Sequence, residues 1–195
     1  TLVKKQRRNK SAMSRKVVVT GGCGYIGSHI ARAFKQNGDT VILVDRVYRE
    51  HTMKGIDSML VNDFASPVAL SNIVMWEPDV IVHCAGTSLV GPSMTDPADY
   101  YENNVSKTIT MLNVLKDMKK KPVILFSSSA SVYGTPAFVP VKEAAAIRTL
   151  RPYGKTTAIV DTMLRDYSYS YGIHSVSFRY FNAAGAEPFR FDLGQ

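Results

Sequence analysis

A glycine-spaced turn set between an apolar run and an amphipathic run governs how this chain can fold. Val17-Val18-Val19 leads into Thr20-Gly21-Gly22-Cys23-Gly24-Tyr25-Ile26-Gly27-Ser28-His29, and then into Ile30-Ala31-Arg32-Ala33-Phe34. Glycines at 21, 24 and 27 suit a tight strand-to-helix turn. In such a turn a pyrophosphate can approach the backbone at a helix N-terminus, where free N–H groups and the helix dipole favour an anion. Gly21, Gly24 and Gly27, with Tyr25 and Ile26 between them, are therefore candidate cofactor-binding positions. Glycine turns also serve simply to reverse a chain, so the following strand has to support the reading.

It does. Thr40-Val41-Ile42-Leu43-Val44 ends in Asp45, near the spacing of roughly 20 residues at which an acidic side chain reaches the adenosine ribose hydroxyls. Asp45 suits NAD and opposes the ribose phosphate of NADP. Arg46 directly after it can accommodate that phosphate, and leaves the choice between the two less sharp.

Beyond this unit, short β-rich runs alternate with longer amphipathic segments. Strands are expected at Val17–Thr20, Thr40–Asp45, Ser58–Asn62, Val80–Cys84, Val123–Ser127 and Ser175–Arg179, with helices near 25–37, 66–76, 98–119 and 153–171. The alternation, with right-handed crossovers, gives an α/β fold: a Rossmann-type doubly wound parallel sheet with helices on both faces. Ligands in such sheets lie beyond the carboxyl ends of the strands. Those ends carry Asp63-Phe64, then Ala85-Gly86-Thr87-Ser88, then Ser127-Ser128-Ser129, and finally Tyr180-Phe181-Asn182.

With 195 residues and 45% apolar content, one domain with one core is expected over residues 15–195. Residues 1–14 read as a basic, disordered extension, and Met13-Ser14-Arg15-Lys16 resembles a natural chain start. The net charge of +8 is mostly local: Lys4, Lys5, Arg7, Arg8, Lys10, Arg15 and Lys16 account for all but one of it. A nucleic-acid partner is therefore not expected for the folded part. No apolar stretch reaches the roughly 20 residues that span a bilayer. Cys23 and Cys84 are too few for a disulfide framework and lack a second pair for zinc, so a reducing cytoplasm fits and no metal is expected. Both read as small buried residues, His29 and His83 as packing or hydrogen-bonded groups, and Tyr167, Tyr169 and Tyr171 as helix surface. Lys119-Lys120-Lys121 reads as a helix C-terminus favoured by the dipole.

Ser129 and Tyr153 are the candidate catalytic pair. A serine at the end of the fifth strand and a tyrosine opening the next helix can converge on one substrate hydroxyl, whose proton the phenol exchanges while a nicotinamide takes or returns a hydride. A free phenol titrates near 10, so a cation one helical turn away is needed to ionise it at neutral pH. Thr157 occupies that i+4 position, and Lys155, two residues on, points to another side of the helix. Gly154-Lys155-Thr156 is not a nucleoside-triphosphate loop, because that motif requires a glycine where Thr149 stands.

In order along the chain, TGGCGYIGSH, HCAG, YYENNV, FSSSASVYG, PYGK and RYFNAAGA resemble the extended short-chain dehydrogenase/reductase superfamily, and within it the UDP-glucose 4-epimerases. The likeness runs from about residue 15 to residue 188. Ser129-Ala130-Ser131 sets it apart from the dehydratases, which carry a Thr-Asp-Glu type triplet there. The resemblance implies tightly held NAD, oxidation of a UDP-sugar at C4, rotation of the keto sugar, and return of the hydride to its other face. It places Tyr25 and Ile26 along the pyrophosphate, Asp45 and Arg46 at the adenosine ribose, and Asp63 and Phe64 around the adenine. Cys84, Ala85, Gly86, Ser88, Asn104 and Ser127 fall along the cofactor's middle. Tyr153 and Tyr180 fall near the nicotinamide, and Ser129, Phe181 and Asn182 at the substrate. It further implies a homodimer through the helices at 98–119 and 153–171.

This chain departs from the family in three ways. Thr157 stands where the family has its active-site lysine, Ser88 where the closest epimerases carry a second lysine, and the C-terminal region that supplies most of the uridine and sugar pocket is missing. Two functional readings follow from the residues: an NAD-dependent UDP-sugar 4-epimerase-like enzyme, or a truncated NAD-binding remnant without turnover. Another sugar-nucleotide-modifying enzyme, such as a dehydratase, is a further alternative.

Overall fold

A computed structural model describes residues 14–185. Residues 1–13, most of the expected basic extension, lie outside the described residues. Short runs rich in β-branched and other apolar residues supply the strands β1 (Lys16–Thr20), β2 (Thr40–Asp45), β3 (Ser58–Val61), β4 (Val80–His83) and β5 (Val123–Ser129), and an alternating run supplies β6 (Ser175–Tyr180). All pair in parallel, in the order β3-β2-β1-β4-β5-β6. The order reverses between β1 and β4, where the connections leave in opposite directions and open a crevice beyond Thr20 and His83.

Helices cover both faces. α1 (Tyr25–Gln36) and the short α2 (Glu50–Met53) pack Ile30, Ala31, Phe34 and Met53 on the face formed by Val17, Val19, Val41, Leu43 and Val82. The opposite face carries Val18, Val44, Ile81, Ile124 and Phe126. It is covered by α3 (Pro67–Trp76), α5 (Lys107–Leu115) and α6 (Pro152–Tyr171) through Leu70, Ile73, Met111, Leu112, Val160 and Leu164. This alternation of side chains along strands that are buried on both sides is the expected pattern for a doubly wound sheet. On β6 the face away from α6 is thinly covered, leaving Val176 and Phe178 about half exposed. Among the described residues no helix is long and apolar enough to cross a membrane.

Several boundaries differ from expectation for physical reasons. β5 runs on to Ser129 because its serine-rich end pairs with β6 as far as Ser129 opposite Tyr180; apolar content alone stops at Ser127. β3 and β4 end a residue early, opposite the last residues of β2 and β1 respectively. The single helix expected at 98–119 is three pieces: α4 (Pro97–Tyr100), with Asp96 accepting the Asp99 N–H at 3.2 Å, then a π turn (Tyr101–Ser106), then α5. α5 stops at Leu115, so Lys119–Lys121 lie beyond its end. Lys120 pairs instead with Asp79, and Lys121 donates to the Met118 carbonyl. α2 carries too few residues to show a period in sequence. α6 ends at Gly172, whose φ of +70° gives the left-handed turn that stops the helix.

Candidate active site

At the N-terminal side of the crevice the surface is backbone. Gly21 has φ +68°, and a Cβ there would lie 2.7 Å from Ala85 N, so only glycine lets the turn sit against the end of β4. The Gly21 N–H donates to the Val44 carbonyl at 2.9 Å, and the Gly24 N–H to the Gly21 carbonyl at 3.1 Å. Gly24 opens α1 with no side-chain cap, so the first-turn N–H groups stay available to an anion. Asp45 sets the position of the loop: its Oδ2 accepts the Cys23 N–H at 2.9 Å and its Oδ1 the Val47 N–H at 3.1 Å.

One cleft of about 580 Å³ runs from this loop along the strand ends. Gly21, Gly24, Tyr25, Ile26, Asp45 and Arg46 line its first third, and Asp63 and Phe64 close it beside β3. Cys84, Ala85, Gly86, Ser88 and Asn104 form the middle. Ser127, Ser129, Tyr153, Tyr180, Phe181 and Asn182 form the far end. Of the site residues expected from sequence, Gly27 alone is absent from this lining. It is buried behind the loop, where a Cβ would approach the Gly21 carbonyl oxygen to 2.3 Å, so its lack of a side chain allows the close packing of helix on turn.

The floor is dry. His83 lies between Phe64 and Phe126, bonded through Nδ1 to Thr20 Oγ1 at 2.7 Å and through Nε2 to Thr108 Oγ1 at 3.0 Å. Burial lowers its pKa to about 4, so it is a neutral hydrogen-bonded group, in keeping with the packing role read from sequence. Burial likewise pushes the Cys84 thiol up to about 12, with the Ser127 hydroxyl opposing the shift in part. That thiol lines the cleft as a small apolar group.

Sequence reading missed the polar cluster above the middle. Burial pushes the Asp63 carboxyl upward, but hydrogen bonds from Lys107 at 2.7 Å and the Ala65 N–H at 3.0 Å together hold it below its ordinary value. Lys107 also donates to Asn103 Oδ1 at 2.8 Å, and Asn103 Nδ2 donates to Asp99 Oδ1 at 2.6 Å. YYENNV was the available signal, but it does not reveal that the π turn brings both asparagines against Thr87.

At the α6 end, Gly154 permits the approach of the two hydroxyl-bearing segments: a Cβ there would lie 2.6 Å from the Ser131 carbonyl oxygen. Ser129 Oγ accepts the Ser131 N–H and donates to Ser131 Oγ, both at 3.1 Å, and caps the short 3₁₀ turn Ala130–Tyr133. Tyr153 meets the buried Tyr100 ring edge to face, with centroids 6.4 Å apart. Thr157 lies in the lining one turn on, and its hydroxyl turns back to donate to the Tyr153 carbonyl at 2.8 Å. Lys155 is exposed. Among the described residues lining the cleft, Arg46 at the β2 end is the one lysine or arginine.

Comparison with known proteins agrees with this geometry. Residues 17–193 match the model of the NAD dependent epimerase/dehydratase family. The UDP-glucose 4-epimerase of Azospirillum brasilense is 36% identical over 183 residues, 92% of this chain and 52% of the relative. The crystal structure of UDP-glucose 4-epimerase from Brucella ovis in complex with NAD superposes with a TM-score of 0.84 at 34% identity, over 89% of this chain and 54% of the other. That of the Bifidobacterium longum enzyme, in complex with NAD⁺ and UDP, gives 0.80 at 35% identity, over 88% and 55%. The chain spans about half the length of the curated relatives it matches.

Proposed function

The chain belongs to the NAD dependent epimerase/dehydratase family, and on that premise we propose that it binds NAD across the switch-point cleft and carries the hydroxyl pair of a UDP-sugar 4-epimerase. The reaction proposed is the interconversion of UDP-glucose and UDP-galactose. The observation that carries the proposal is the continuity of the cleft from an uncapped helix N-terminus to Ser129 and Tyr153. The residues present fit a dinucleotide: the turn at Gly21 sits directly on the β4 end with no side chain, α1 begins without a cap, and Asp45 offers a carboxylate held by two backbone N–H groups. A carboxylate so held cannot turn away from a ribose phosphate without leaving both donors unpaired, which favours NAD over NADP despite Arg46.

NAD, when bound, supplies the hydride acceptor for the sugar C4. Tyr153 receives and returns the proton of that hydroxyl, Ser129 orients it, and Phe181 with Asn182 faces the UDP-sugar. The second reading, an NAD-binding piece without turnover, is favoured by one contact: Thr157 spends its hydroxyl on its own helix and brings no positive charge to the phenol. The two readings separate when UDP-galactose conversion is measured for the natural chain, Tyr153→Phe and Thr157→Lys. Conversion lost in Tyr153→Phe and raised in Thr157→Lys supports the enzyme; conversion unaffected by Tyr153→Phe rejects the assignment.

A homodimer through α5 and α6 belongs to the same proposal. Tyr167 ties the two helices together by donating to Asn113 Oδ1 at 2.8 Å, and Ile109 and Ile159 are over a third exposed. A cytoplasmic setting fits two unpaired cysteines. Sedimentation of the chain and of Ile109→Glu tests the dimer: a monomer in both excludes this interface.

A further inference from the structure

The two ends of the cleft are joined at the turn after β4. There Gly86 has φ +155°, and a Cβ on it would lie 2.7 Å from Asn104 Oδ1, so the asparagine side chain rests directly on the glycine. Asn104 Oδ1 accepts the Thr87 N–H at 2.7 Å, and its Nδ2 donates to the Thr87 carbonyl at 3.0 Å. One side-chain amide thus pairs with both backbone groups of a single residue, as a neighbouring strand would. Its second hydrogen goes to Thr156 Oγ1 at 3.1 Å, and that hydroxyl donates to the Tyr153 carbonyl at 2.9 Å. The pattern fixes the orientation of the amide, because a flipped side chain would set donor against donor at Thr87 N–H and acceptor against acceptor at its carbonyl.

We propose that Asn104 is a positioning residue: through Thr156 it locks the first turn of α6, and with it Tyr153, to the Gly86–Thr87 turn. The inference rests on the reading that NAD occupies the cleft. Direct cofactor contact, expected for Asn104 from sequence, is not its main work, since both amide hydrogens are spent on protein. Only an amide meets all three demands. A carboxylate in its place would face the Thr87 carbonyl with an acceptor, and a longer glutamine would collide with Gly86. The Thr156 methyl is not part of the link; its hydroxyl is.

The test compares two ligands that share the glycine-loop end and differ at the α6 end. ADP reports the adenosine and pyrophosphate positions, and NADH, followed by its own fluorescence, adds the nicotinamide. In Thr156→Val, ADP affinity is expected to stay within about twofold, while NADH binds about five- to tenfold more weakly, the effect of one lost hydrogen bond. Thr156→Ser, which keeps the hydroxyl, is expected to restore NADH binding to within about twofold. Asn104→Asp should reproduce the selective loss. ADP and NADH weakening together would mark a merely structural role and overturn the proposal, as would a Thr156→Val protein that binds NADH normally. If the natural chain binds neither ligand, the dinucleotide reading itself falls and the positioning role with it.

Discussion

At the β1 end of the cleft the surface offered to a ligand is main chain, whereas at the α6 end it is side chain. Gly21 and Gly24 present bare Cα atoms below the uncapped first turn of α1, and Gly27 lets the helix close onto them. Ser129 and Tyr153 present hydroxyl groups whose usefulness depends on what surrounds them, Thr157 included. The first kind of site is preserved as long as the turn folds. The second can lose its chemistry through one substitution that leaves the fold untouched. Thr157 is such a place: buried, well packed and hydrogen-bonded, and still without the charge that would help a phenol ionise.

The sharpest way to break the contrast is at Gly27. An alanine there would put a Cβ 2.3 Å from the Gly21 carbonyl oxygen, and overpacking of that kind costs on the order of 3 kcal/mol. Calorimetric titration of Gly27→Ala is expected to show NAD binding weakened about a hundredfold, the same energy taken from the loop geometry. Thr157→Lys probes the other end. A cation beside the phenol is expected to raise the rate at which UDP-glucose reduces bound NAD, read by absorbance, by about a hundredfold, within the range of general acid–base effects. ADP affinity should not change, and an unchanged rate would mean that the charge of this end is not what limits it.

The floor shared by both ends offers a third, smaller test. His83 is held near a pKa of about 4 by burial, below its ordinary 6.5. Because the unfolded chain takes up this proton first, stability is full above pH 6.5 and falls as the pH drops from 6.5 toward 4. The loss between pH 7 and 5 is about 2 kcal/mol from this group. Urea unfolding at the two pH values should show that step in the natural chain and lack it in His83→Gln. Far from the cleft, Asp39 has its pKa lowered to about 2, chiefly by the hydrogen bond from Arg15 at 2.7 Å. Its contribution is present above pH 4 and lost as the pH falls toward 2. With the guanidinium half exposed, about 1–2 kcal/mol is expected. Asp39→Asn should remove that acid step while leaving NAD affinity at neutral pH unchanged.

Much of this was legible in the residues themselves. Each of the six strands is recognisable as a short apolar or alternating run, and the cleft follows from where those runs end. Asp45 was legible because it closes a strand at the right distance from a glycine turn. What escaped was structure made by pairing and by unusual turns. The end of β5 is strand only because Tyr180 lies opposite Ser129. The π turn at Tyr101–Ser106 has no local composition that marks it, and without it Asn103 looks like ordinary helix surface and the bonds of Asn104 to Thr87 are not foreseen. For Gly27, spacing alone could not show that the missing side chain makes room for the Gly21 carbonyl.

The central claim is that the dinucleotide end is complete whatever is missing at the α6 end, and NAD titration by thermal shift tests it most directly. The natural chain and Tyr153→Phe should both be stabilised by millimolar NAD, by several degrees and to a similar extent. No stabilisation of the natural chain at that concentration would contradict the claim.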